Sequence, residues 1–436
     1  MSLFLFPTNV AENELPINAA DTVWMLTATG LVFFMTPGLS FFYGGMVSKE
    51  NIISTMLQSF ISLGVVSIIW VIVGFSLSFG EDIGGIIGNP FTYFMFKNVG
   101  LSPNLDFAPT FPFLLFALFQ LKFAIITPAI ITGSFAERIK FDSYLIFIVL
   151  FSIFIYTPLA HMTWHPEGIL RKLGVLDFAG GTVVHMSAGF AALAGAIILG
   201  KRSSVKSNNE EHKPVNIPFV LLGTGMLWFG WFGFNAGSAL GANKDAALAF
   251  GTTALASAAA MISWVLYDRI MGRKTSALGA AIGAVVGLVA ITPGAAFVTL
   301  GQSIFIGFAS SMISNIALYY KNKKELDDTL DVFPCHGIGG ISGMIFTAVF
   351  AKDIGLIYGD YHSFFIHMGA LVGVSIFTFG GAYVLYKITD FISPLRVNEE
   401  EEKLGLDISQ HGESYIANNE FYDIEATEAP IVRGNY

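Results

Sequence analysis

The sequence predicts an all-α polytopic membrane protein of eleven transmembrane helices, and three observations carry that prediction. Hydrophobic residues make up 54% of the chain and charged residues only 13%, with a mean hydropathy of +0.65, whereas a soluble domain carries roughly 25% charge. Apolar runs of about 20 residues, each long enough to cross a hydrocarbon core of ~30 Å, recur along almost the whole chain. The 46 glycines suit helices packed in lipid, where small residues let backbones approach closely.

Reading apolar runs against charged and Pro/Gly breaks places spans at 22–48, 51–79, 112–135, 144–163, 179–199, 216–240, 245–270, 276–293, 297–320, 332–351 and 362–392. Residues 1–21 form an extracytoplasmic lead; they lack the basic flank and long apolar core of a cleaved signal. Segment 80–111, the longest interruption, is expected to pack over one mouth of the bundle. Residues 393–436 are an acidic cytoplasmic tail whose ten acids against three basic residues account for most of the net charge of −9. The last twenty residues read as disordered.

Basic residues set the orientation. Of the 23 lysines and arginines, seventeen fall after odd-numbered spans or in the tail, five fall on the other face (Lys97, Arg171, Lys172, Lys244, Lys352), and Lys122 lies inside the third span. The N-terminus is therefore expected outside and the C-terminus in the cytoplasm, which requires an odd number of spans.

The halves of the chain echo each other. The first span ends in GLSFFYGG (38–45) and the sixth contains GWFGFNAG (230–237), and each is followed by a span with one tryptophan, Trp70 and Trp264. The fifth span has Asp177 before His185, and the tenth has Asp331 before His336 in DVFPCHGIGG. Five spans per repeat is odd, so the repeats, about 22–199 and 216–351, must be inverted, with 362–392 as a final helix. Inverted repeats place a shared pathway near the midplane, so His185 and His336 should meet there.

Two neutral imidazoles among Gly, Ala and Phe would form a hydrogen-bonding track. No third ligand accompanies them, so a small polar solute suits the pair better than a metal. The plainer alternative is that each simply ties helices together. Asp177 and Asp331 both precede helix starts, where an aspartate caps free N–H groups, and that reading is favoured over solute binding. Trp164 ends the fourth span, Phe119 and Phe123 lie one turn apart, and so do Phe234 and Ser238. Such aromatics beside a hydroxyl could hold a small cation by cation–π attraction of about 0.5–2 kcal/mol, although most of the 42 phenylalanines must be packing. His161, His165, His212, His362, His367 and His411 fall at span ends, in loops, in the tail or near a mouth and are read as structural or solvated.

Other chemistry is excluded. The single cysteine, Cys335, rules out an internal disulfide or a cysteine-based metal cluster. GAIILGK (195–201) is followed by Arg202 where a phosphate loop needs Ser or Thr. No nucleophile–base set, haem motif or basic nucleic-acid patch is evident, and an enzyme is the least supported reading.

The stretches DFAGGTVVHMSAG, FQLKFAIITPAIITGSFAERIKF, GWFGFNAGSA, DVFPCHGIGG and LGLDISQHGE together resemble the ammonium transporter family (Amt/Mep, relatives of the Rhesus proteins), over about residues 22–415. The resemblance implies a homotrimer with one pore per subunit and no cofactor. It implies an outer recruitment site of Trp164, Phe123 and Ser238, a gate of Phe123 and Phe234, pore histidines His185 and His336, and a capping Asp177. It also implies a PII-type regulator on the cytoplasmic face, with the tail residues Gly405, Leu406, Asp407, His411, Gly412 and Glu413 transmitting regulation, and a location in a bacterial or archaeal inner membrane.

Two features depart from the family. Lys122 directly precedes Phe123, but one helical residue turns it about 100° away, toward a subunit contact. Trp164 is followed by HPEG and not by a glycine-rich stretch. A dry pore makes a bare ion costly, so the expectation is that ammonium sheds a proton, crosses as ammonia past the histidines, and is accompanied by net charge transfer. The alternatives are an ammonium sensor, against which the lack of an output domain after the last span counts, and an electroneutral Rhesus-type gas channel, which would need no cation site.

Overall fold

A computed structural model describes residues 16–208 and 214–415. The first fifteen residues of the lead, His212, and the tail segment read as disordered lie outside the described residues.

Eleven helices long and apolar enough to span a membrane are present among the described residues. They run Ala19–Gly44, Ile52–Phe79, Phe113–Ser134, Phe141–Lys172, Gly181–Leu199, Ile217–Ala236, Lys244–Ile270, Ala277–Gly294, Leu300–Lys323, Phe333–Phe350 and Tyr361–Ile392. Their starts follow capping chemistry. Asn18, Asn216, Asn243, Ser276, Thr299 and Asp360 each accept a hydrogen bond from a free N–H in the first turn of their helix. The first span begins three residues earlier than expected because Asn18, ahead of the apolar run, supplies its cap.

Close crossings hold the bundle together and repeat across its two halves. The first and sixth spans cross at Gly38 and Gly223: a Cβ on Gly38 would lie 2.8 Å from Met226, and one on Gly223 would strike Gly38 and Phe42. The fifth and tenth cross at Gly189 and Gly340, each four residues after its histidine. A Cβ on Gly189 would fall on the backbone of Gly337, and one on Gly340 would lie 3.0 Å from the carbonyl of Gly181. Without a hydrophobic drive between helices in lipid, such backbone proximity is a main source of packing.

The loop after the second span does pack over one mouth. It contains a two-stranded antiparallel hairpin, Asp82–Ile83 with Ile87–Gly88, and it brings Asp106 and Phe107 to the cavity that Trp164 also lines.

The histidine-bearing spans start differently from the rest. The fifth opens with a six-residue π-helical turn, Gly181–Met186, and the tenth with another, Phe333–Ile338. The sixth carries a π turn at Phe232–Ala236. Each such turn shifts the register of its side chains, a device common at functional sites. His185, His336 and Phe234 all stand on π turns.

Candidate functional site

At the mouth, a cavity of about 280 Å³ is lined by Phe123, Trp164, Asp177 and Ser238, together with Gln120, Phe107 and others. The Trp164 indole N–H donates to the Asp177 carbonyl at 3.1 Å, which fixes its plane. Phe123 meets it edge to face, with centroids 5.9 Å apart. Ser238 donates its hydroxyl proton to the Phe234 carbonyl at 2.8 Å, so its oxygen lone pairs remain available as acceptors. The three residues expected to recruit a cation thus share one cavity.

Asp177 caps the fifth span. Its carboxylate accepts from the N–H groups of Gly180 (2.8 Å), Gly181 (2.6 Å) and Thr182 (2.7 Å), and from the Thr182 hydroxyl (2.5 Å). Gly180 takes a left-handed φ of 117°, which lets the chain turn under the carboxylate at little steric cost. Each carboxylate oxygen accepts two hydrogen bonds, so its geometry is that of a cap.

Below the mouth, the Phe123 and Phe234 rings meet at a tilt of 32° with centroids 4.2 Å apart, and both are buried. Beneath them a void of about 10 Å³ is lined by Leu39, Ile126, Val184, Leu227 and other apolar side chains, with His185 and His336 as its polar groups. That is room for about one water-sized molecule. Trp231 contributes only its ring face to this lining, because its N–H donates to Thr292 at 2.9 Å. His185 stacks on Trp231, with centroids 5.3 Å apart. Its Nδ1 lies 3.3 Å from the Nδ1 of His336, and its Nε2 is buried without a hydrogen-bond partner.

The expectation for Asp331 is corrected. Asp331 pairs with Lys321 at 2.5 Å and adopts a φ of 60°. The cap of the tenth span is Asp328, which accepts from Val332 (3.2 Å) and Phe333 (2.7 Å). Sequence reasoning missed Asp328, although a signal existed: it lies eight residues before His336, as Asp177 lies eight before His185. Trp231, the stacking partner of His185, was also missed, and no sequence signal marks it among the other aromatics.

Among the described residues, the other histidines lie outside the narrow passage. His367 accepts from the Leu176 N–H at 2.9 Å and donates to the Ser363 carbonyl at 2.7 Å. His161 is fully buried and bonded to Ser78 and Asp82. Lys122 points away from the mouth, its amine 5.3 Å over the ring of Phe33 on the first span.

The six tail residues come together at the start of the second span. Gly405 and Gly412, both with left-handed φ, bracket the helix Leu406–His411. Leu406 N–H donates to Asn51, and Asp407 N–H to the Glu50 carbonyl. The Asp407 carboxylate accepts from Ile53 (3.0 Å) and Ser54 (2.7 Å). His411 reaches the Ser54 hydroxyl at 3.2 Å, and Glu413 N–H donates to the Asp407 carbonyl.

Residues 23–416 match the model of the Ammonium Transporter Family. The chain is 43% identical to the ammonium transporter of Aquifex aeolicus, covering 94% of this chain and 96% of that one. It is 44% identical to the ammonium transporter of Bacillus subtilis, covering 90% and 97%. Among solved structures it resembles Candida albicans Mep2, with a TM-score of 0.83 at 33% identity over 88% of each chain. It also resembles a structure named Sensor Amt Protein, with a TM-score of 0.83 at 29% identity over 90% of this chain and 98% of the other.

Proposed function

The chain belongs to the ammonium transporter family and is a multi-pass plasma-membrane transporter of ammonium; from that premise we propose how its pore works. Ammonium gathers at Trp164, Phe123 and Ser238, where two aromatic surfaces and a hydroxyl oxygen offset part of its lost hydration. It gives up its proton there to water in the open mouth, which becomes the proton carrier, and crosses as ammonia past the Phe123–Phe234 gate. Ammonia then passes His185 and His336, which exchange hydrogen bonds with it, and the proton follows to give net charge transfer.

The observation that carries this reading is the one-molecule void beneath the gate. Its walls are apolar except for two imidazoles, so a bare cation there would lack the ligands that repay desolvation. A neutral molecule of water size that both donates and accepts matches the walls.

The excess of basic residues on the tail side supports an outer Trp164 mouth and a cytoplasmic C-terminus. Family membership supports a homotrimer with one pore per subunit, and a PII-type regulator on the tail face. The docked tail offers that regulator a contact surface joined to the second span.

The experiment is current across a solid-supported membrane bearing proteoliposomes, after ammonium and then potassium jumps. Ammonium should give a transient that potassium does not, and His185→Ala and His336→Ala should each abolish it or admit potassium. Full, selective currents in both variants would refute the histidine track. Internal alkalinisation without current would mean an electroneutral channel.

A sensor role is the second reading, favoured by the likeness to Sensor Amt Protein and by the docked tail. Unchanged ammonium uptake by a tail-truncated protein, with only regulation lost, would decide against it.

A further inference from the structure

Beside the mouth lies a group of titratable side chains that the pore does not use. His161, on the last turn before Trp164, has no exposed side-chain surface. Its Nδ1 is 3.0 Å from the Ser78 carbonyl and its Nε2 is 2.8 Å from Asp82 Oδ1. A carbonyl has no proton to give, and that same Asp82 oxygen already accepts from the Gly85 N–H at 2.7 Å. Nδ1 must therefore donate, and beside an ionised Asp82, which only accepts, Nε2 donates as well, which makes the ring a doubly protonated imidazolium.

The contacts close a ring around the tryptophan. Asp82 bonds Gly85 across the hairpin turn, and the Gly85 carbonyl accepts from Ile169 N–H at 2.9 Å. The hairpin thus grips the chain on both sides of Trp164, at His161 and at Ile169. His165, next to Trp164, stacks on the His161 ring at 4.3 Å. Its Nδ1 accepts from Glu167 N–H, so that nitrogen carries no proton, and its ring lies 5.5 Å, centroid to centroid, from Phe107 on the cavity wall.

We propose that Asp82 and His161 form a charged clamp that positions Trp164 for recruitment of ammonium. Asp82 and His161 are positioning residues, since neither touches the cation. The clamp rests on the recruitment reading given above. It also gives the HPEG segment a role: His165 carries the clamp's packing to the cavity wall.

The test combines ¹⁵N solid-state NMR of the His161 ring in proteoliposomes with apparent KM and Vmax from ammonium currents. In the unaltered protein both ring nitrogens should be protonated. Asp82→Asn, which keeps the shape but can donate to Nε2, should make the ring neutral. It should raise KM roughly three- to tenfold, as loss of a charge-assisted hydrogen bond does, with Vmax within about twofold. Asp82→Glu should recover part of the affinity. A neutral His161 ring in the unaltered protein overturns the clamp. So does an unchanged KM in Asp82→Asn when Trp164→Leu raises it. An unchanged KM in Trp164→Leu itself sinks the recruitment reading, and the clamp with it. The NMR arm needs no variant, so poor folding of one variant leaves the proposal open to refutation.

Discussion

His185 and His336 face each other Nδ1 to Nδ1 at 3.3 Å, so one of these nitrogens carries the proton and the other accepts it. The rings therefore hold opposite tautomers, which leaves one Nε2 as an acceptor and the other as a donor. Such a track is polar at both ends yet carries no net charge.

His185→Phe separates this chemistry from packing. A phenyl ring can keep the stack on Trp231 and the contact with Phe234, which lies 5.9 Å away, but it leaves the His336 Nδ1 unpaired at a cost of about 1–3 kcal/mol. The variant should fold, lose a few degrees in Tm, and conduct ammonium at under a tenth of the normal rate. Near-normal currents would show that the passage needs only a ring of the right size.

Gly189 and Gly225 are both helical glycines with opposite surroundings. A Cβ at Gly189 would overlap the backbone of Gly337, which cannot swing aside, whereas Gly225 has nothing within 4 Å. Gly189→Ala should push the fifth and tenth spans apart, lowering Tm by many degrees and breaking the histidine contact. Gly225→Ala should be neutral or slightly stabilising, since alanine is about 1 kcal/mol better than glycine in a helix. Equal thermal stability of the two variants in detergent would refute the crossing as the source of the difference.

Much of this fold could be read in the sequence because lipid imposes one rule on every span: an apolar run of a set length, bounded by polar residues. The histidine pair was legible for a related reason, since an ionisable residue inside a span is too costly to be incidental. The π turns at Gly181–Met186 and Phe333–Ile338 were not legible. An extra residue in one turn leaves composition and hydropathy unchanged. The Asp331 misreading has a physical cause as well. The apolar run of the tenth span starts at Val332, next to Asp331, and adjacency suggested the cap. A carboxylate that reaches the free N–H groups at i+4 and i+5, as Asp328 does, must stand further back along an intervening loop.

The adjacent carboxyls Asp327 and Asp328 should move stability in opposite directions with pH. Burial raises the Asp328 carboxyl to about 6 despite nearby Lys321. A carboxyl raised in the folded state binds its proton more tightly there than in the unfolded chain. It therefore favours folding at low pH, and that contribution, on the order of 3 kcal/mol, is lost as pH rises from about 4 to about 6. Burial also raises Asp327, but Arg138 and Arg202 outweigh it and hold the carboxyl at about 2. Its contribution is full above the ordinary carboxylate range and is lost as pH falls toward 2. Asp328→Asn should flatten the decline in Tm between pH 4 and 6, while Asp327→Asn should lower Tm at neutral pH. An unaltered pH profile in Asp328→Asn would mean that other groups set that limb.

Asp407 caps a helix from more than 350 residues away in sequence. Asn51, at the N-cap of the second span, makes no side-chain capping bond of its own and accepts instead from the Leu406 N–H. The two segments have exchanged caps, each satisfying free N–H groups at the other's helix start. Asp407→Ala leaves Ile53 and Ser54 uncapped, a loss on the order of 1 kcal/mol, and removes two of the bonds that fasten the tail. Limited proteolysis should then cut between residues 393 and 415 several times faster than in the unaltered protein, while Tm of the membrane body shifts by only a few degrees. Asp407→Asn, which keeps one acceptor oxygen, should fall between the two. If the Ala variant is cut no faster than the original, the tail is held by its other contacts, such as Arg396 with the Leu199 carbonyl, and the exchanged caps do not control its release.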